Sequence, residues 1–562
     1  MRTPANGDQR PASHGNPTMS TARGLYRPKI DSITLSVLVS LFLVALANRT
    51  FWAKIHTYLS DHPASIWTLY LAMSVMFIAV LTAFSIKYVS KPFYILLILA
   101  ASIGSWFTDT FGVIVDSDMV RNAFQTTPAE AQHLITPPFL AHLLLFAVLP
   151  IGLILWVRID YRPVFKTVAR NTAVVLACLV VFAGSAFAFS KPYATAIRQH
   201  KDIVKSLNPV TPIAGTIKFL MEATEDVNIV VRPLGLDAKI VKTAAATGKP
   251  RVMIIVAGET ARAANFSLGG YARMTNPELA ARDVVYFPNT SSCGTATATS
   301  IPCMFSRFTR SDFSHRKGLE NENLVDVLAH AGAKVEWWDN NTGSKGVADR
   351  IAFTDFVKVN DPKFCTNGEC RDDFFFDRLD TWLDGVTQDS VLVLHTMGSH
   401  GPTYYLRYPD AFRRFTPDCR TAELGDCTDA QIVNAYDNTI LFTDHLLATV
   451  IDKLKARSGK IEAGMVYMSD HGESLGEHGL YLHGTPYMLA PEYQTHIPFV
   501  LWTDAAFARS MNLDRECLAR KASGDYSHDN LFHSVLSMMN VSTEVYDPAL
   551  DIFASCKTGA TS

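Results

Sequence analysis

The chain has 562 residues, more than one compact domain usually holds. Its mean hydropathy is positive, +0.11, and 48% of its residues are hydrophobic, which suggests that part of the chain lies in lipid. Lys and Arg number 51 against 53 Asp and Glu, so the net charge of −2 offers no polyanion-binding field and no nucleic-acid partner is expected.

Five apolar stretches precede residue 190: 32–47, 64–86, 92–107, 137–157 and 172–189. A membrane-spanning helix needs roughly 17 to 25 residues. The first and third stretches sit at or just under that limit, with a core or re-entrant helix as the alternative. Basic residues flank the stretches unevenly: Arg2, Arg10, Arg23, Arg27 and Lys29 before the first, Lys87 and Lys91 between second and third, and Arg158, Arg162, Lys166 and Arg170 between fourth and fifth. Those sides should face the cytoplasm, and the connection 108–136, whose one basic residue is Arg121, should face away. Five crossings then place everything after Phe189 outside. The polar N-terminus is too long to read as a cleavable signal, so the first helix is expected to remain as an anchor, and Met19 is a second candidate start.

Cysteines test this topology separately, since eight of the nine lie beyond residue 290. The close pairs Cys293/Cys303, Cys365/Cys370 and Cys419/Cys427 read as short-loop disulfides of an oxidising compartment, and Cys517 with Cys556 is a candidate fourth bridge. No Cys-x-x-Cys doublet favours a zinc-thiolate site.

Residues 190–247, with Asn208-Pro209, Thr211-Pro212 and Arg232-Pro233, read as a linker with short helices along the membrane surface. From Pro250 onward, β-branched runs at 251–258, 334–338, 391–395, 465–468 and 497–502 alternate with helical patterns. That predicts an α/β domain with a mostly parallel sheet, whose ligands collect at the carboxyl ends of strands. The expected division is a cytoplasmic segment 1–30, a transmembrane domain 31–189, the linker 190–247 and an outer domain 248–562.

At one such strand end the chain reads Ser469-Asp-His-Gly-Glu-Ser-Leu-Gly-Glu-His-Gly479, with His483 close behind. Adjacent Asp470 and His471 can share one ion only if the backbone turns, and Gly472 is expected to permit that turn. Mixed carboxylate and imidazole donors suit zinc better than calcium or magnesium. Between Asn289 and Cys303 seven hydroxyls crowd one candidate disulfide loop. One of them is a candidate nucleophile if a metal or a helix N-terminus stabilises its alkoxide, the alternative being a Thr/Ser-rich turn.

Four pieces in this order, VAGET (256–260), SCGTATATSIPCMF (292–305), HTMGSHGPTYY (395–405) and SDHGESLGEHG (469–479), resemble the lipid A phosphoethanolamine transferases. The resemblance spans nearly the whole chain. It implies an alkaline-phosphatase-like, zinc-dependent periplasmic domain on an inner-membrane anchor, moving phosphoethanolamine from phosphatidylethanolamine to a lipid A phosphate and so lowering polymyxin binding. By the same match the nucleophile is Thr297 and the zinc ligands are Glu259, Thr297, Asp470 and His471. Lys345, His395, His400 and His483, with Thr342, would contact donor phosphate and ethanolamine or move protons. Asn122, Thr126 and Glu130 would face the donor headgroup from the membrane domain. A second zinc through His400 and His483 stays open, and a monomer is expected. Where some members carry cysteines around the lysine, this chain has Ser344 and Ala348.

Rival readings are transfer to a core sugar or Kdo, a phosphoglycerol transferase of the same fold, and a non-enzymatic zinc-binding membrane sensor. A sulfatase would need Cys or Ser followed by x-Pro-x-Arg, which the Thr297 segment lacks.

Overall fold

The computed structural model describes residues 26–226, 229–242, 247–359, 361–366 and 368–558. Arg2, Arg10, Arg23 and Met19 lie outside these.

Of the five expected membrane helices, four among the described residues are long and apolar enough to cross, and a bent pair makes a fifth crossing if it counts as one span. The first apolar stretch is α1 (Ser32–Leu46), too short to span alone, and the chain bends by 62° into α2 (Arg49–Tyr58). Asn48 sits at the bend, its Nδ2 donating to the carbonyl oxygens of Leu43 and Asn208. Four further helices are long and apolar enough to cross: α3 (Pro63–Ala83), α4 (Ser90–Phe111), then, beyond two short helices, Pro137–Trp156 and Val164–Ala188. The third predicted stretch thus gains two residues at its start and about one turn at its end, and the fifth starts earlier, at Val164, taking in Lys166 and Arg170. Arg170 is accommodated by Asp31 Oδ1 at 2.7 Å. Some polar groups inside the bundle are paired: Tyr94 Oη lies 2.7 Å from Ser36 Oγ and donates to Leu81 O, and Asn171 Nδ2 donates to Thr82 O and Ser85 O, whereas Asn171 Oδ1, Thr82 Oγ1 and Ser102 Oγ are buried without a partner. The outward faces carry Leu144, Leu145, Leu149, Leu153, Phe165 and Val180, a surface suited to lipid.

Between α4 and the fourth span lie α5 (Ser117–Gln125) and α6 (Pro128–Leu134). The fourth span is α7 (Pro137–Trp156) and the fifth α8 (Val164–Ala188). Within 190–247, α9 (Val210–Asp226) packs on α5 through stacked Phe124 and Phe219 and the Arg121–Glu222 ion pair.

The outer domain is built on an eight-stranded sheet: β1 (Arg251–Gly258), β2 (Val285–Ser291), β3 (Lys334–Asp339), β4 (Ala352–Asp355), β5 (Ser390–His395), β6 (Glu462–Ser469), β7 (His496–Thr503) and β8 (Asp525–Ser527). Its order is β8-β2-β7-β6-β1-β5-β3-β4, and only β7 runs against its neighbours. Central β1 is buried along its whole length, as a strand covered on both faces must be. Met253, Ile255 and Ala257 point into one core and Val252, Ile254 and Val256 into the other. The expected mostly parallel α/β architecture is therefore present, with five of its strands where the apolar runs place them.

Disulfides join Cys293–Cys303, Cys365–Cys370, Cys419–Cys427 and Cys517–Cys556, and Cys178 is the free thiol. Denatured without reductant, the protein should titrate one thiol, and nine after full reduction. Three or more before reduction would contradict this pairing.

Candidate metal and nucleophile site

Four neighbouring strands, β6, β1, β5 and β3, end on one crevice and deliver Asp470-His471, Glu259, His395 to His400, and Asp339 with Asn341. Glu259 leaves β1 into Thr260, whose left-handed φ of 58° is costly for a β-branched residue and is of the kind that collects at functional sites. Asp470 fixes that turn: its Oδ1 accepts from Thr260 N at 3.0 Å and from His471 N at 2.7 Å. Its Oδ2 is buried without a hydrogen-bond partner, 3.3 Å from His471 Nε2.

His471 donates Nδ1–H to Gly472 O at 3.0 Å, which leaves Nε2 as the lone-pair nitrogen, 3.5 Å from Glu259 Oε1. Gly472 is needed for a reason other than the expected turn: a Cβ there would stand 2.1 Å from Tyr493 O. The loop is pressed against another backbone, and no left-handed conformation is involved.

Thr297 opens helix α10 (Thr297–Met304), where unpaired backbone amides favour a negative oxygen. Its hydroxyl donates to Glu259 Oε2 at 3.1 Å and lies 3.5 Å from His471 Nε2. Asn341 Nδ2 holds the same Oε2 at 2.7 Å, and Thr260 Oγ1 donates to Oε1. The loop before α10 is tied down by the Cys293–Cys303 bridge and by His528, which accepts from Cys293 N and donates to Ser469 O.

Glu259, Asp470 and His471 present ligand atoms all within 4.8 Å of one another, every one buried. Burial, with the charge of Glu259, holds the Asp470 carboxyl well above the usual carboxylate range. Burial also opposes ionisation of Glu259, but His471, His400 and His483 outweigh it and keep the carboxyl low. Two buried carboxylates, an orphaned carboxylate oxygen, an imidazole lone pair and a hydroxyl match the donor set of a divalent zinc site.

The remaining predicted residues surround this core. His395 gives Nδ1–H to Asp339 Oδ1 at 2.7 Å and buries an unpartnered Nε2. Burial opposes its charge, yet Asp339 raises its pKa. His400 Nε2 meets Glu130 Oε1 of α6 at 3.1 Å, and Glu130 overcomes burial to push the imidazole up to about 9. Its Nδ1 is buried without a partner. His483 Nδ1 lies 2.9 Å from Glu473 Oε2, which Tyr404 steadies by donating to Oε1 at 2.6 Å. The His471, His483 and His400 rings are consecutive neighbours, 4.5 and 5.4 Å apart.

Lys345 is half-buried with a left-handed φ of 53°, its Nζ donating to Thr342 O, and burial lowers its pKa against the pull of Glu130, Asp339, Glu259 and Asp470. Ser344 and Ala348, the positions without cysteines, are joined by a hydrogen bond from Ala348 N to Ser344 Oγ at 3.1 Å, so the lysine loop keeps a closing link.

Beside His400 and His483 opens a cavity of about 580 Å³, walled mainly by apolar residues of α4, α5 and α9 such as Phe107, Val120 and Ile213. Asn122, Thr126 and Glu130 supply its polar spots; Thr126 already donates its hydroxyl proton to Asn122 O. Asn341, Glu473 and His528 were not singled out from sequence. Glu473 lies inside the 469–479 motif, whereas Asn341 and His528 sit in short polar runs, 339–345 and 527–530, that carry no motif spacing and find their partners in distant segments.

Residues 251–541 match the Sulfatase family and residues 73–224 the Phosphoethanolamine transferase EptA/EptB family. The chain is 38% identical to phosphoethanolamine transferase EptA of Salmonella typhimurium over 95% of its own length and 99% of that protein. It is 37% identical to phosphatidylethanolamine transferase Mcr-1 of Escherichia coli, covering 85% and 91%. The solved integral membrane lipooligosaccharide phosphoethanolamine transferase A (EptA) of Neisseria meningitidis superposes with a TM-score of 0.91 at 36% identity, covering 94% of this chain and all of that one.

Burial, aided by His471 and opposed by the hydrogen bond to Ser469 O, lowers the pKa of His528 from 6.5 to about 4, so the folded protein resists its protonation. Its contribution is full above pH 6.5 and is lost as pH falls toward 4, about 3 kcal/mol in all. Melting temperature of metal-free protein should therefore drop across that window, and His528→Gln should flatten the drop; an unchanged slope would contradict it. From fold, site and sequence together, the chain belongs to the lipid A phosphoethanolamine transferase family and is a phosphoethanolamine transferase.

Proposed function

We propose that this protein transfers phosphoethanolamine from phosphatidylethanolamine to a lipid A phosphate through a covalent phosphothreonine at Thr297. The observation that carries this reading is the Thr297 hydroxyl, which sits at a helix N-terminus within 3.1 Å of Glu259 and beside a metal-type cluster, while an apolar cavity of about 580 Å³ opens next to His400. Glu259, Thr297, Asp470 and His471 would hold one zinc ion. Zinc bound there would favour the threonine alkoxide and offset charge on the phosphoryl oxygens.

The chain's own groups account for the rest. Donor acyl chains fill the apolar cavity, and Asn122, Thr126 and Glu130 receive the headgroup at its polar end. Thr297 gives its hydroxyl proton to Glu259 Oε2, to which it already donates, and its Oγ bonds to the donor phosphorus as the bond to the diacylglycerol oxygen breaks. His400, held protonated by Glu130, has a free Nδ1–H to give to that leaving oxygen. His483, braced by Glu473, stands next to it for the return proton. Lys345, Thr342 and His395 lie on the phosphate side, where a cation and donors offset charge that builds in the transition state. An oxygen of the lipid A phosphate then attacks the phosphothreonine and frees the threonine. Holding both lipids in the plane of one membrane turns a rare encounter into a guided one.

We place residues 1–30 in the cytoplasm, 31–189 in the inner membrane, 190–247 along its outer surface and 248–562 in the periplasm, acting as a monomer. Basic flanks on the expected inner side and four disulfides on the outer side support this. Lower lipid A charge then reduces binding of cationic polymyxin.

Cells expressing the chain should yield lipid A heavier by one phosphoethanolamine in mass spectra. Thr297→Ala should abolish the shift, and Glu259→Gln should slow it by on the order of 10³-fold, at unchanged protein level. Unmodified lipid A with a modified core sugar or Kdo would replace the acceptor. A phosphoglycerol increment would replace the donor. No modified lipid of any kind would leave a zinc-binding sensor.

A further inference from the structure

Helix α6 touches the outer domain at two points. Glu130 reaches His400 Nε2, and one turn later His133 Nε2 lies 3.0 Å from Glu369 Oε2. Glu369 is in turn gripped by Arg407, whose Nη1 and Nη2 donate to its two oxygens at 2.8 and 3.3 Å. The remaining guanidinium donor, Nε, gives its proton to the carbonyl oxygen of His400 at 2.8 Å. The chain of contacts therefore closes on itself, from α6 through Glu130 to the His400 ring, and from α6 through His133, Glu369 and Arg407 to the His400 backbone.

Packing does little to hold α6, because it has seven residues and none is buried. Glu369 and Arg407, by contrast, are buried, and Glu369 stands beside Cys370 in a hairpin closed by the Cys365–Cys370 bridge. A buried, two-pronged carboxylate–guanidinium pair adds little net stability but fixes direction closely. The rigid end of this arrangement thus lies in the outer domain, and the end it holds in place is α6.

We propose that His133, Glu369 and Arg407 are positioning residues that dock the surface helix onto the outer domain, so that Glu130 and His400 keep the spacing that receives a phosphoethanolamine lipid headgroup. The proposal rests on the reading of Glu130 and His400 as donor contacts. None of the three touches the reacting atoms; their effect passes through Glu130 and His400.

The test uses the full chain in vesicles containing phosphatidylethanolamine and lipid A. His133→Ala leaves the Glu369–Arg407 pair intact and should raise the donor KM about tenfold, the effect of losing one charge-assisted hydrogen bond, with kcat within about threefold and acceptor KM unchanged. In a Glu130→Gln background, which itself raises donor KM, His133→Ala should add almost nothing, since both act on one contact. Glu369→Gln should copy His133→Ala if its melting temperature stays at the wild-type value. A donor KM unmoved by His133→Ala while Glu130→Gln raises it, or equal costs of His133→Ala in both backgrounds, overturns the positioning role alone. An unmoved donor KM in Glu130→Gln removes the donor reading, and the positioning role with it.

Discussion

Two carboxylates, Glu259 and Asp470, are buried at the ends of adjacent parallel strands, and among the described residues only His471 lies within ion-pair distance of them. Burying charge without a partner is expensive, and a fold tolerates it only where something external repays the cost. A divalent cation is the simplest such partner, and the rest of the outer domain is arranged around that need. The central strands are buried on both faces and so cannot drift, the loop after β6 is wedged against the Tyr493 carbonyl, and the loop leading into α10, which Thr297 opens, is tethered by a disulfide and by the neutral His528.

Around this core the histidines follow one plan. His395, His400 and His483 each engage a carboxylate with one ring nitrogen: Asp339, Glu130 and Glu473 respectively. Such pairing fixes ring orientation and decides which nitrogen carries a proton. His395 and His400 keep the opposite nitrogen buried and unpartnered. One of the three carboxylates, Glu130, comes from the membrane portion, so the site is completed only when the two parts of the chain meet. The apolar cavity reaches the same two histidines, since His400 and His483 line it together with Glu130.

Much of this was legible in the sequence because strands buried on both faces leave unbroken β-branched runs, and because metal ligands at strand ends fall in short dense motifs. The 469–479 segment and the hydroxyl-rich loop are of that kind. The helical portion was less legible at its edges. Hydropathy sees Ser32 to Ala47 as one stretch but not the bend at Asn48, which depends on a hydrogen bond to Asn208, 160 residues away. Asn341, Glu369, Arg407 and His528 were invisible for the same reason, since each is an ordinary polar residue until the fold brings its partner. Gly472 was noticed for the wrong cause, because close approach of a second backbone leaves no local signature.

The most direct measurement is anomalous scattering at the zinc edge from crystals of the full chain. A single strong peak bonded to Glu259, Thr297, Asp470 and His471 is the predicted result. A metal peak held by other residues, or active crystals with no peak at these four, would contradict the central claim.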